Sequence, residues 1–438
     1  MMYPKNLANP KHATHSLYVI LFTAFVACAF CFVQVDAQQT STTTPASKDQ
    51  QRPRRVSNSN TAPTPATKTT PTAQPTPTPR ATTAAQSSAG EDVDEGDVVR
   101  VETQLVSVPA VVSDRTGRPV TNLRAENFTL FEDNRLQRIS NFTTTEAPFE
   151  VALLLDTSGS TREDVSLIRR AANAFIEALR PGDRVAIVAF NTARDAGSQL
   201  ARVEVKTKLT SDRNVLRQAV ENIGASNGTP FYDALERIAS EVFRDAPSAE
   251  LRGRRAVVAL TDGVDSSSDA DFPEVRARLL RAGVACYFIE VNTEDFVEDR
   301  LLRDCQDGGT LRLSRTQLQR YRKLFAPRLP SSDFESFCQL GSFQRMEISR
   351  DLYGLARREM DELAKSSGGK NFIADDLRAA RNAFAQVANE IGTQYSLGYY
   401  PSNKTRDGRF RAIRVEVKGA NANGAQVRAR EGYYAPKG

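Results

Sequence analysis

The sequence predicts an α/β fold, a doubly wound and mostly parallel sheet, with β-strands from both flanks joining into a small sandwich-like module. Two observations carry this. Between Glu150 and Ile391, apolar runs of strand length alternate with segments whose apolar residues recur at helical spacing. On either side of that stretch, short runs of strand-like sequence are separated by turn residues.

Taken in order, the stretch 104–114 and the stretch 127–142, with a turn at Asp133 and Asn134, read as short antiparallel strands. The runs 151–156, 184–190, 255–261 and 284–291 are continuously apolar, as strands of a buried parallel sheet are. Between them, Val165, Ile168, Ala172, Phe175 and Leu179 mark one helix face, Leu235, Ile238 and Val242 a second, and Val275 and Leu279 a third. Leu377, Ala380, Phe384, Val387 and Ile391 mark a longer one, and all are core surfaces. Then Ile413, Val415 and Val417 alternate with Arg414, Glu416 and Lys418, and the Gly- and Asn-rich 419–424 supplies a hairpin turn. Neither flank buries enough to stand alone, so the segments 98–146 and 395–438 are expected to complete one module around the α/β domain at 147–394.

Chemistry is concentrated where apolar runs stop. Asp156, Ser158 and Ser160 follow one such run, Thr229 stands in the string NGTPFYDAL at 227–235, and Asp262 ends another run before Gly263. Ligands of doubly wound sheets bind at the carboxyl ends of the strands, and Asp156 and Asp262 occupy such ends. Carboxylates and hydroxyls are hard oxygen ligands suited to Mg²⁺, which takes near-octahedral oxygen and keeps waters, with Mn²⁺ or Ca²⁺ as alternatives. Uncharged hydroxyls leave such an ion short of compensating charge and ready to accept a carboxylate from another molecule. The alternative is that DTSGS and TDG are turns and helix caps, a routine use of small polar residues.

The spacing DxSxS, then Thr, then Asp followed by Gly resembles the metal-ion-dependent adhesion site of the von Willebrand factor A family, whose fold is Rossmann-like. On that resemblance Ser158, Ser160 and Thr229 touch the metal directly, and Asp156 and Asp262 act chiefly through bound water. The stretch 107–134 and the ending from Tyr395 through VRAREGYYAP are similar to bacterial VWFA-related proteins of the acidobacterial type. An enlarged segment at about 295–348 departs from the family pattern.

The first hundred residues are expected to stay outside any core. Lys5 and Lys11 precede the apolar run Leu17 to Val33, and Val35-Asp36-Ala37 offers a cleavage site, so residues 1–37 read as a secretory signal. Retention of 17–33 as a membrane anchor is the alternative, and Cys28 after Phe25-Val26-Ala27 loosely matches a lipoprotein acylation site. Residues 38–97, rich in Thr, Pro, Ser and Gln, cannot bury enough surface to offset ordering and read as a disordered tether ending in an acidic patch. Export places the mature chain in a secreted or periplasmic, cell-envelope setting.

Several function classes are disfavoured. A net charge of +5 from 58 basic and 53 acidic residues is too small to indicate nucleic acid. Both histidines, His12 and His15, lie in the signal, which removes His-based catalysis and His-ligated zinc from the mature chain. Beyond the signal there are three cysteines; Cys286 sits in an apolar strand, while Cys305 and Cys338 lie in the enlarged segment. Those two are expected to form a disulfide in an oxidising compartment, the alternative being two free thiols.

The leading reading is an exported, metal-dependent binding or adhesion module that captures an Asp or Glu carboxylate of a protein partner and is not an enzyme. A Mg²⁺-dependent hydrolase or phosphotransferase with Asp156 as nucleophile competes with it. No DxDxT follows the first strand, no glycine-rich phosphate loop is present, and the G-x-S-x-G string itself is expected to be absent. A structural scaffold in which a metal merely stabilises the domain is the third reading.

Overall fold

The structure is a computed structural model that describes residues 105–144, 148–159, 165–195, 198–245, 254–302, 312–419 and 424–438. The expected signal, anchor and tether, Ser160, Cys305 and most of the 419–424 turn lie outside the described residues. No helix among the described residues is long and apolar enough to cross a membrane.

In chain order the strands are β1 (Val106–Ser113), β2 (Phe128–Glu132), β3 (Arg135–Gln137), β4 (Ile139–Thr143), β5 (Glu150–Leu155), β6 (Arg184–Asp195) and β7 (Ser198–Val205). They continue with β8 (Arg255–Thr261), β9 (Val284–Val291), β10 (Asn371–Ala374), β11 (Tyr395–Tyr399), β12 (Phe410–Val417), β13 (Gln426–Ala429) and β14 (Gly432–Tyr434). The helices are α1 (Val165–Ala178), α2 (Arg213–Glu221), α3 (Phe231–Arg237), α4 (Phe272–Ala282), α5 (Glu294–Leu301), α6 (Arg315–Phe325), α7 (Ser342–Ser367) and α8 (Ala380–Gly392).

The central sheet has the order β10-β9-β8-β5-β6-β7, parallel throughout except for β7, which runs antiparallel to β6 at one edge. Strand β5 shows why its sequence is continuously apolar. Val151, Leu153 and Leu155 join the core on one face of the sheet with α1 and α8, and Ala152 and Leu154 join the core on the other with α3, α4 and α7. Fully burying each such leucine or valine contributes about 1.5–3 kcal/mol relative to leaving it in water.

The flanks combine as expected. Strand β1 pairs antiparallel with β11 and β13, and β2 pairs antiparallel with β12, so each of the two further four-stranded sheets draws on both ends of the chain. Asp133 and Asn134 carry positive φ values of 46° and 63° in the tight turn between β2 and β3. Between the sheets lie Val108, Leu130, Tyr395 and Leu397, all fully buried. The Glu132 carboxylate, also buried, accepts the Tyr399 hydroxyl at 2.6 Å and the Tyr433 hydroxyl at 3.0 Å, tying an amino-terminal strand to two carboxy-terminal ones.

The described part of the enlarged segment holds more regular structure than its polar, proline-bearing sequence suggests. It contains α5, α6 and the start of α7, and it builds a core of its own from Val297, Leu301, Leu313, Leu318, Phe334, Phe337, Leu340, Ile348, Leu352 and Tyr353. Arg320 on α6 meets Glu359 on α7 at 2.9 and 2.7 Å, and the same carboxylate accepts the Tyr232 hydroxyl of α3, so the segment is fastened to the body of the domain. Cys338 is disulfide-bonded, and its partner lies outside the described residues because Cys286, the other described cysteine, is a free buried thiol.

Candidate metal centre

Each candidate residue follows an element that places it. β5 and β8 are neighbours in parallel register, Leu155 opposite Leu260, so the residues that follow them, Asp156 and Asp262, emerge at the same end of the sheet. The Asp156 amide donates to the Leu260 carbonyl at 3.0 Å, which locks the two strand ends together. Thr229 stands just before α3, and its amide donates to the Ser266 hydroxyl at 2.7 Å in the loop that carries Asp262. The Ser226 amide in turn donates to the Thr157 carbonyl at 2.8 Å. Three loops distant in sequence are thereby hydrogen-bonded to one another.

Ser158, Thr229 and Asp262 line one cleft of about 80 Å³, with Gly159, Asn227 and Ser266 beside them. Asp156 is fully buried behind it. One Asp156 oxygen accepts the Ser158 amide at 2.9 Å and the other accepts the Thr261 hydroxyl at 2.6 Å. Asp262, 3 % exposed, accepts the Val264 amide at 3.1 Å and the Thr293 hydroxyl at 2.7 Å. The structure thus brings together four of the five expected residues, the fifth being Ser160.

The two acids feel burial and each other. Burial, and next the nearby Asp262 carboxylate, push the Asp156 carboxyl up to about 7. Two carboxylates near one another in a buried crevice are a costly arrangement that a cation would relieve. Hydroxyl and carboxylate oxygens are hard donors and suit Mg²⁺ or Mn²⁺. No group of three or more His, Cys, Asp or Glu comes together among the described residues, so a donor set of the zinc type is not formed there.

Sequence reasoning missed the residues that hold the acids. Thr261, Thr293 and Tyr353 surround them, and only Thr261, adjacent to Asp262, carried a local signal. Asp265 was also passed over; it accepts the Phe231 and Tyr232 amides at 2.8 and 3.3 Å and so seats the start of α3 behind Thr229. One expectation about catalysis needs correction, because Gly224-Ala225-Ser226-Asn227-Gly228 does spell G-x-S-x-G. It is not a nucleophile elbow: it links α2 to α3, not a strand to a helix, and the Ser226 hydroxyl donates to the Gly228 carbonyl at 2.8 Å.

The parallel sheet, the flanking helices and a polar crevice at the strand ends define a class of α/β binding domain. Residues 150–310 match the von Willebrand factor type A domain, and this part of the chain is such a domain. A domain of this type supports a role in protein interaction. None of the curated proteins matches the chain. Among solved structures it is similar to a von Willebrand factor type A protein from Catenulispora acidiphila, with 13% identity over 76% of this chain and 74% of that one and a TM-score of 0.36. It is also similar to proximal thread matrix protein 1 from the mussel byssus, with 11% identity over 56% of this chain and 48% of that one and a TM-score of 0.34. A third is the pilus adhesin SpaC from Lactobacillus rhamnosus GG, with 11% identity, 75% of this chain and 48% of that one, and a TM-score of 0.35. The chain spans about half the length of the byssus and pilus structures.

Proposed function

We propose that the chain is an exported protein-binding module that uses a divalent cation, Mg²⁺ or Mn²⁺, to capture an acidic group of a partner. The observation that carries this is the meeting of Ser158, Thr229 and Asp262 at one cleft, with the buried Asp156 behind them. Ser158, Thr229, Asp156 and Asp262 would hold the ion, together with Ser160. Bound there, the cation supplies an electrophilic position for a carboxylate. Thr261 and Thr293 orient the two aspartates, and the Thr229 loop is held by Ser266. Nothing in this arrangement calls for turnover, and the reading includes none. Export rests on the charged start, the apolar run and Val35-Asp36-Ala37.

Titration calorimetry with Mg²⁺ and Mn²⁺ tests the centre. Wild type should take up one ion and Asp262→Ala none, and neither should hydrolyse a generic phosphoester with or without metal. Equal behaviour of the two proteins toward metal would make the motif a set of helix caps, and metal-dependent phosphoester turnover lost in Asp156→Asn would favour the hydrolase.

A further inference from the structure

The turn after α6 presents positive charge and apolar surface together. Residues 315–330, which are α6 and the turn that follows it, carry Arg315, Arg320, Arg322, Lys323 and Arg328 and no acid. Two of these bases are paired: Arg320 with Glu359, and Arg315 with Glu335 at 3.5 Å. Lys323 and Arg328 are exposed and form no ion pair among the described residues. Beside them Leu324, Phe325 and Leu329 are 49 %, 38 % and 47 % exposed, although the segment has a buried core of its own.

That exposure is built in. The Arg322 Nε donates to the Leu329 carbonyl at 3.0 Å, and the Leu329 amide donates to the Ala326 carbonyl at 3.0 Å. The Gln319 side-chain amide donates to the Ser331 and Phe334 carbonyls at 3.2 and 3.1 Å. The Phe325 ring stacks on Tyr321 with centroids 5.2 Å apart, and Tyr321 meets the buried Phe334 at 5.8 Å. A surface held in this way loses little conformational freedom when something covers it.

Single exposed leucines are ordinary, but here three apolar side chains flank two unpaired cations within residues 323–329. A second copy of this chain meeting the patch symmetrically would set Lys323 and Arg328 against their own kind, which like-charge repulsion disfavours. An anionic lipid surface answers both features. Its headgroups pair with the bases, and the boundary between headgroups and acyl chains takes the leucines and the phenylalanine.

We infer that residues 323–330 form a docking site for a membrane surface rich in anionic lipid. No metal is needed, so the inference stands apart from the cation-dependent reading above. At the other end of α6, the Ser314 hydroxyl donates to the Ser266 carbonyl at 2.6 Å, in the loop that carries Asp262. Eleven helical residues rise about 16 Å, so docking would bring the strand-end cleft to about a helix length from the lipid.

The chain contains no tryptophan, so Leu329→Trp places a single fluorophore in the patch. Leu136→Trp, at a leucine 69 % exposed on β3, is the control. Each full-length variant is titrated in chelator with vesicles of equal parts phosphatidylglycerol and phosphatidylcholine, and with vesicles of phosphatidylcholine alone. Emission at 329 should shift to the blue and be quenched by brominated acyl chains on the anionic vesicles only, and emission at 136 should not change. Adding Lys323→Gln and Arg328→Gln should weaken the response at 329 about thirtyfold, the worth of two basic side chains at such a surface. Should the apolar run 17–33 hold the chain to lipid, a fluorophore at 329 still reports only its own surroundings. No response at 329, an equal response to neutral vesicles, or an equal response at 136 overturns the inference. So does an equal response to poly-glutamate without lipid, which would make the patch a site for acidic protein. A shift that grows with protein concentration alone would make it a contact between copies and overturns the inference as well.

Discussion

The Thr293 hydroxyl donates to an Asp262 carboxylate oxygen at 2.7 Å, joining the end of β9 to the end of β8 in a buried setting. Tyr353 on α7 stands 2.7 Å from the same hydroxyl and 3.5 Å from the same carboxylate oxygen. Burial first, and the Asp262 carboxylate second, push the Tyr353 phenol well up, so it stays a neutral donor. Asp262 is thus oriented from two elements that the loop motif does not contain.

Removing this support should loosen the site without unfolding it. Thr293→Val keeps the shape but deletes the donor, and about a tenfold loss of Mn²⁺ affinity by calorimetry is expected, the lower end of what outer partners of metal ligands are worth. Thr293→Ser should restore most of it. Unchanged affinity in Thr293→Val would mean that Asp262 is held by its own loop.

Metal binding should appear as stability. At about ten times its dissociation constant, a cation bound only by the folded state adds ~1.4 kcal/mol. Thermal melts of wild type should rise with millimolar Mg²⁺, and those of Asp262→Ala should not. An identical response of both would remove Asp262 from the centre.

The buried acids predict a pH effect in chelator. Folding raises the Asp156 carboxyl from 3.8 to about 7, so between those values the folded state holds the proton that the unfolded state has released. The contribution of this residue therefore falls as pH rises across that window. Asp156→Asn, which carries no charge, should match wild type near pH 4 and melt higher than it at pH 8. The reverse order at pH 8 would show that Asp156 is stabilised as a carboxylate without metal.

Cysteine chemistry should divide in two. Peptide mapping without reductant is expected to find Cys338 joined to Cys305, and Cys338→Ser should cost about 2–4 kcal/mol where the closed loop is part of the cooperative fold. Cys286 is fully buried, and burial pushes its thiol up to about 12, so it should resist alkylation until the protein unfolds. Labelling of Cys286 in the native protein would show that the sheet opens there.

What the sequence alone determined is local and periodic. The apolar runs of β5, β8 and β9 announce strands buried on both faces because each residue of such a strand meets a core, whichever way it points. Asp156 and Asp262 were legible because an acid directly after an apolar run marks a strand end, where parallel sheets place their ligands. Tertiary structure decided what stands behind and across from those acids. Thr293 and Tyr353 lie 31 and 91 residues from Asp262, and no spacing rule connects a hydroxyl to a carboxylate over that distance. The edge strand β7 and the long helix α7 were likewise not foreseen, and the segment at 295–348 read as a polar enlargement because its apolar residues are spread over several short elements. They form a core only when α5, α6 and α7 pack together, and that packing closes one side of the strand-end cleft.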